Sequence, residues 1–258
     1  MASVKKFTDA AVLSEIRHNK RQIINDKNKD IDSALSYMNY SLTPERPISE
    51  YEYYKQRKSE LYCYNRADVK TLAGWIVTAP KELEKPEDIK LFFTSTADFL
   101  MKRYGTKNTI SIECHYDEGK REKIRDRWTE EIIKDETGNP MTKLVHGRPH
   151  LHFLFIPACP DLKKNHMQSE KICANDVLNK KDLQRFHTDL QKFLREHNSP
   201  GAEGIITGST KAQGRNYTVE EMKEHYEINK ELERLRKFEY EHTRNIEIEN
   251  SNNQKGRW

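Results

Sequence analysis

The chain has 258 residues, with 45 Lys plus Arg against 41 Asp plus Glu and only 35% hydrophobic residues. That length carries one sizeable domain, or one domain with an extension, around a modest core. No apolar run approaches the roughly 18 residues of a membrane span, and Met1 to Phe7 lacks the apolar segment of a secretion signal, so the expected location is the cytoplasm. The four cysteines, Cys63, Cys114, Cys159 and Cys173, form no CxxC pair, so they read as reduced thiols rather than a structural zinc site. Residues 1–217 hold 37 basic and 31 acidic side chains, residues 218–258 hold 8 and 10. A mildly basic body suits a phosphate-bearing ligand.

Ala2 to Phe7 reads as a short strand. Asp9 is the expected N-cap of a helix through about Lys20 that carries Ile16, Arg17 and His18, and 22–35 reads as a loop. Ser49 is placed to cap a helix running through Tyr54, Leu61 and Tyr64. Leu72 to Ala79 reads as a buried strand stopped by Pro80. Pro86 starts a helix with Ile89, Phe92, Phe93, Thr96, Leu100 and Tyr104 on one face, closed by Gly105. Thr109 to Tyr116 and Pro149 to Pro157 are two further core strands. The charged segment 119–147, with a turn signal at Thr137-Gly138-Asn139-Pro140, reads as a long hairpin inserted between them. A polar stretch follows, then an amphipathic helix over 181–197. Residues 198–217 are rich in Gly, Ser and Thr. From Thr218 the chain reads as helical to about Ile246, with a narrow apolar seam of Met222, Tyr226, Leu232 and Leu235, and the last eight residues as disordered. The expected class is α+β, a central antiparallel sheet flanked by helices, with 1–217 as the main domain and 218–258 as a helical extension.

His150 and His152 are two apart on a predicted strand, so both imidazoles point to one face. An HxH pair alone is weak evidence of a metal site. A second predicted strand ends at His115, followed by Asp117 and Glu118. If the two strands pair through the 119–147 hairpin, His115 comes beside His150 and His152. Three imidazoles with open positions suit a divalent cation that also binds substrate oxygens, and Glu118 or Asp117 is placed to orient a histidine or act as a base. Without cysteine in the set, Mn2+ or Mg2+ is expected rather than a thiolate zinc. Such an ion assists attack at phosphorus, for which His18, Tyr37 and Tyr40 are candidate nucleophiles. Tyr51 to Arg66 interleaves tyrosines with cations, a composition that suits unpaired nucleic acid, though some of these tyrosines belong in the core. Lys70, Lys211 and Arg215 are further phosphate candidates.

The ordered set His18-Asn19-Lys20-Arg21, Asn39-Tyr40-Ser41-Leu42, His115-Tyr116-Asp117-Glu118 and Pro149-His150-Leu151-His152 resembles the MobV (Pre/Mob) family of plasmid mobilisation and recombination relaxases. Asn65-Arg66 and Gln213-Gly214-Arg215-Asn216-Tyr217 extend the resemblance over roughly residues 14 to 225. It implies the relaxase fold of the HUH endonucleases and a DNA-nicking strand transferase. Such an enzyme binds an origin of transfer as hairpin plus single-stranded DNA and stays covalently attached to the new 5′ end. By position, His115, His150 and His152 match the metal ligands, Glu118 the third motif's carboxylate and His18 the nucleophile, while Arg21 looks like a phosphate-binding partner. Arg66, Lys70, Lys211, Arg215 and Tyr40 are the DNA-binding candidates, and a conjugative coupling protein is a further implied partner. Family members usually have a short step between the third motif and the PHxH motif, whereas about 30 residues intervene here. The tail is short beside the family's coiled-coil region, which leaves dimerisation open. A rolling-circle initiator with a tyrosine nucleophile would need that tyrosine after the HxH motif, where Tyr217 and Tyr226 stand. A non-cutting origin-binding repressor would have no need of three metal ligands.

Overall fold

The computed structural model describes residues 2–22, 30–162, 166–207, 227–228 and 230–238. The chain divides into two compact units, Met1–Gly208 and Ser209–Trp258. In the second, the described residues 227–238, apart from 229, are helical, and the rest of the expected helix and tail lies outside the described residues.

The first unit is built on five antiparallel strands in the order β1-β3-β7-β4-β2. These are β1 (Ala2–Thr8), β2 (Tyr40–Ser41), β3 (Lys70–Thr78), β4 (Thr109–His115) and β7 (His150–Phe155). Two short ladders stand apart: β5 (Gly119–Lys123) with β6 (Thr142–His146), and β8 (Ala158–Pro160) with β9 (Glu170–Ile172). The α+β expectation with a central antiparallel sheet holds.

Alternation in the strands sorts side chains to two faces. Ala73, Trp75 and Val77 of β3, Ile112 and Cys114 of β4, and Leu151, Phe153 and Phe155 of β7 all turn to one face. They pack there on α3 (Pro86–Tyr104) and on α5 (Lys180–Glu196), which follows the short α4 (Ala174–Val177). Trp75 stacks on Phe186 at 3.7 Å between ring centres and donates its indole N–H to Tyr104 Oη. α3 starts on Pro86 with Glu87 and Asp88 in its first turn. It ends with Lys102 and Arg103 before Gly105 at φ +92°, so its charges oppose the helix dipole at both ends. α5 is capped by the Asn179 side chain, which accepts from the Lys181 and Asp182 N–H groups.

The opposite face is apolar at one end only. Leu72, Ile110, Leu154, Ile156 and Ile172 pack there with Val12 and Ile16 of α1 (Val12–Asn19) and with Tyr54 of α2 (Glu50–Ser59). Asp9 does not cap α1. A 3-10 turn, Asp9–Ala11, precedes the helix, and the Asp9 carboxylate accepts from Tyr54 Oη (2.5 Å) and Lys58 Nζ (2.6 Å). α2 begins as expected, with a Ser49–Glu52 capping box, but ends at Ser59 rather than Tyr64. The chain leaves the helix because Tyr62 exchanges backbone hydrogen bonds with the β9 segment, donating to Glu170 O and accepting from Ile172 N. No helix among the described residues is long and apolar enough to cross a membrane.

Candidate metal centre

The register of β7 decides the centre. β4 pairs antiparallel with β7, setting His115 opposite His150 and Glu113 opposite His152. Directly opposed residues share a face, so His115, His150 and His152 all turn to the α1 side, beyond the end of its apolar patch. Their ring centres lie 4.6, 4.9 and 5.5 Å apart. Glu118 joins them three residues after His115, where the chain turns out of β4. One ligand atom from each of His115, Glu118, His150 and His152 falls within 4.8 Å of every other.

The outer nitrogens fix which atoms face inward. His115 Nε2 lies 2.7 Å from the carbonyl of Asn19 at the end of α1. A carbonyl only accepts, so this nitrogen carries the proton and Nδ1 keeps its lone pair. His150 Nδ1 sits 3.3 Å from the Arg148 carbonyl, which leaves Nε2 toward Glu118 Oε2 at 3.2 Å. His115 Nδ1 and His152 Nε2 are buried with no hydrogen-bond partner. Buried polar atoms without partners are costly, and three inward lone pairs beside a carboxylate are the donor set of a divalent cation. The residues therefore fit a metal. Burial lowers the His115 pKa, and burial with two imidazole neighbours lowers that of His152 well below the ordinary value, so both rings stay neutral and available as ligands. Burial alone would raise the Glu118 carboxyl. The neighbouring His115 and His150 rings and the hydrogen bond from Arg21 outweigh it and hold the group far below the usual carboxylate range.

Arg21 and Asp117 brace this arrangement. Asp117 is fully buried and accepts from Arg21 Nε (3.1 Å) and Nη2 (2.7 Å), Ser36 Oγ (2.7 Å) and Asn39 Nδ2 (2.7 Å). Arg21 Nη2 also donates to Glu118 Oε1 at 2.7 Å. Arg21 adopts φ +55° just after α1, where the Gln22 N–H reaches back to the Arg17 carbonyl and closes a Schellman-type end. A non-glycine residue there stores about 1 kcal/mol of strain, which the two carboxylate partners offset. The guanidinium expected at a phosphate is thus largely committed to carboxylates, with Nη1 left on a 3.4 Å contact to the His18 carbonyl.

His18 lies on the last turn of α1 and opens onto a cavity of about 390 Å³ between that helix and the sheet. Glu15, Arg21, Ile76 and His152 also line it, so the candidate nucleophile meets the histidine cluster there through His152. The other sequence candidates do not converge there. Tyr40 packs half-buried against the core: β2 pairs with β4, and its hydroxyl is buried beside Cys114 and Tyr116. Burial pushes that phenol's pKa far up, which disfavours it as a nucleophile. Lys70 opens β3 six residues from Ile76, the partner of His152, so it sits roughly 20 Å along the strand from the cluster. Arg66 is exposed, paired with Asp68 at 3.4 Å, and belongs to that same distant end. Lys211 and Arg215 lie outside the described residues. Sequence reasoning missed the Asn19 and Arg148 carbonyls that orient two histidines, because a backbone oxygen leaves no residue signature. Asn39, by contrast, was within reach: it sits in the quoted Asn39-Tyr40-Ser41-Leu42 motif, donates to Asp117 and accepts from the Tyr116 N–H.

Comparison with known proteins agrees with this architecture. The MobM relaxase domain, solved Mn-bound with plasmid pMV158 oriT DNA, superposes with a TM-score of 0.59 at 21% identity, covering 87% of this chain and 97% of that one. The plasmid recombination enzyme of Bacillus thuringiensis is 27% identical over 197 residues, and that of Streptococcus agalactiae 23% over 230. Those alignments take in 75% and 86% of this chain but 36% and 38% of the relatives, so the chain spans little more than a third of their length. Residues 1–223 match the family model described as plasmid recombination enzyme, Mob_Pre, and the chain belongs to that family.

Proposed function

We propose that this protein is a metal-assisted DNA relaxase that cuts one strand at a plasmid origin of transfer and holds the new 5′ end covalently. The observation that carries the reading is the convergence of His115, His150, His152 and Glu118 into one donor set, of which His152 lines the same cavity as His18. His115, His150, His152 and Glu118 would hold Mn2+ or Mg2+, which supplies Lewis-acid polarisation of a phosphoryl oxygen. His18 attacks phosphorus through a neutral ring nitrogen. A P–N bond forms, the P–O3′ bond breaks, and the leaving 3′ oxygen takes up a proton. Religation runs the same exchange backwards. Asp117 fixes Arg21, Arg21 holds Glu118 toward the cluster, and its Nη1, on a long contact to the His18 carbonyl, is the edge that would meet an incoming phosphate. The relaxase domain takes residues 1–217, with Lys211 and Arg215 contacting DNA near its end. Action in the cytoplasm, with a conjugative coupling protein as partner, follows from the same reading.

The test is to incubate the protein with Mn2+ and a single-stranded oligonucleotide carrying the origin of its host element and to look for a covalent adduct. The adduct is expected to be acid-labile, as a phosphoramidate is. It should vanish in His18→Ala and persist in Tyr40→Phe. Absence of any adduct with Mn2+, Mg2+ and other divalent ions, or an acid-stable one, would overturn the reading.

A further inference from the structure

The segment between the two metal-binding strands is a built arm whose root is tied to the centre. Gly119 directly follows Glu118, and its N–H donates to Asp30 O at 2.8 Å. The Gly147 N–H donates to Glu118 O at 2.8 Å, and His146 Nε2 lies 2.8 Å from Asp32 Oδ2. A Cβ on Gly119 would come within 2.6 Å of the Val145 carbonyl, so only glycine closes the root this tightly. From there β5 and β6 run in register from Gly119↔His146 to Lys123↔Thr142. The ladder continues through Ile124 N–H to Met141 O, Ile133 N–H to Ile124 O and the Arg125↔Ile132 bridge.

The tip is fixed in shape. The Asp126 carboxylate accepts from the N–H groups of Trp128 (2.8 Å) and Thr129 (2.9 Å), and the Asp126 N–H closes the turn onto Glu131 O. This turn presents the indole of Trp128 76% exposed, with the Arg127 guanidinium 5.4 Å over its ring. A tryptophan presented in this way offers a broad apolar face and an N–H to a partner, the form in which the residue is enriched at interfaces. Along the strand leading to the tip, Arg121, Lys123 and Arg125 alternate onto one face. The acidic residues Glu130, Glu131, Asp135 and Glu136 gather beyond the tip, so the cationic limb is the one that leads from Glu118 to Trp128. A row of cations ending in an exposed indole matches the needs of unpaired nucleic acid, phosphates for the cations and a base face for the ring. A duplex offers the phosphates but keeps its bases stacked inside.

We infer that this arm is a single-stranded DNA-binding element, in which Trp128 stacks on an unpaired base and the Arg121–Lys123–Arg125 face follows the backbone away from the metal centre. The nine steps from Gly119 to Trp128 reach up to roughly 30 Å. The contact therefore acts on binding of the strand flanking the cut rather than on the reacting phosphate. The inference rests on the relaxase reading for the origin of that strand.

The experiment measures binding of a fluorescent mixed-sequence single-stranded oligonucleotide, and of the same sequence as duplex, to the full chain in EDTA across a salt series. Trp128→Ala should weaken single-strand binding about tenfold, and Trp128→Phe should restore most of it. Lys123→Ala and Arg127→Ala should each lower the slope of log affinity on log salt by about 0.7. Unchanged single-strand binding in Trp128→Ala, no rescue by Phe, or an equal loss on duplex would overturn the inference. Adduct formation by the wild type, assayed separately with Mn2+, keeps the two readings apart. An adduct with no Trp128 effect leaves the relaxase standing and removes the arm, while a Trp128 effect without an adduct does the reverse.

Discussion

The two faces of the central sheet are made from the same strands and do opposite work. In β7, Leu151, Phe153 and Phe155 go to the α3–α5 side, where every one is sealed in apolar packing. The alternate residues His150, His152 and Leu154 go to the α1 side, where Leu154 is core, His150 turns Nε2 to Glu118, and His152 is buried with an Nε2 that has no partner. One face is filled by aromatic and aliphatic packing. The other carries unmet polar atoms at the point where a cation fits. A strand of six residues can thus supply stability and chemistry together, because a period of two keeps them on separate sides.

Substitutions that exchange the roles of the two faces test this division. The largest effect is expected on the histidine face: His152→Leu should abolish adduct formation while leaving the metal-free protein as stable as the wild type or about 1 kcal/mol more so, because a buried orphan nitrogen is removed. Adduct assays and urea unfolding on one preparation measure both, and a strong destabilisation by Leu would show that the imidazole has a structural partner after all. On the apolar face, Phe153→Ala should cost about 3–5 kcal/mol in the same unfolding experiment. Asp117→Asn removes a buried anion from Arg21 and should cost about 3 kcal/mol, with weaker divalent-ion binding because Glu118 loses its brace.

A fourth prediction concerns Glu113, opposite His152. Burial raises its pKa to about 7, against hydrogen bonds from Ser41 and Thr43 that favour the charged form. The folded value lies above the unfolded one, near 4.5. The unfolded chain therefore releases this proton first, and stability falls as pH rises from about 4.5 to about 7. In metal-free protein, Glu113→Gln should be more stable than wild type by about 2–3 kcal/mol at pH 8, with the gap closing toward pH 4.5. Thermal unfolding across that range checks it, and a gap that widens at low pH would reverse the assignment. The smallest effect is expected far from the centre. Lys70→Ala, at the exposed start of β3, should stay within about 0.5 kcal/mol of wild-type stability.

The division between faces was partly legible in the sequence. The alternation in His150–Phe155, the Pro86 start and Gly105 stop of α3, and the pairing of the strands ending at His115 and starting at His150 all follow from local periodicity and turn chemistry. Residues whose place depends on long-range register were not legible. Tyr40 reads as an accessible tyrosine, yet two residues of β2 pairing with Cys114 and Glu113 turn it inward. Arg66 and Lys70 precede a core strand in sequence but enter it at the end away from the histidines. Asp9 has the composition of a helix cap and serves instead as the anion for Tyr54 and Lys58. Arg21 occupies a left-handed position that sequence rules assign to glycine or asparagine, because only its two carboxylate partners, almost a hundred residues on, hold it there.

In the proposed centre, His115, His150 and His152 hold one divalent ion on the α1 face of the sheet. Calorimetric titration of the full chain with Mn2+ tests it most directly, comparing wild type with His115→Ala, His150→Ala and His152→Ala. One Mn2+ per chain is expected in the wild type, with that binding lost in each variant while the variants remain folded. Mn2+ binding that survives all three substitutions at wild-type affinity would contradict it.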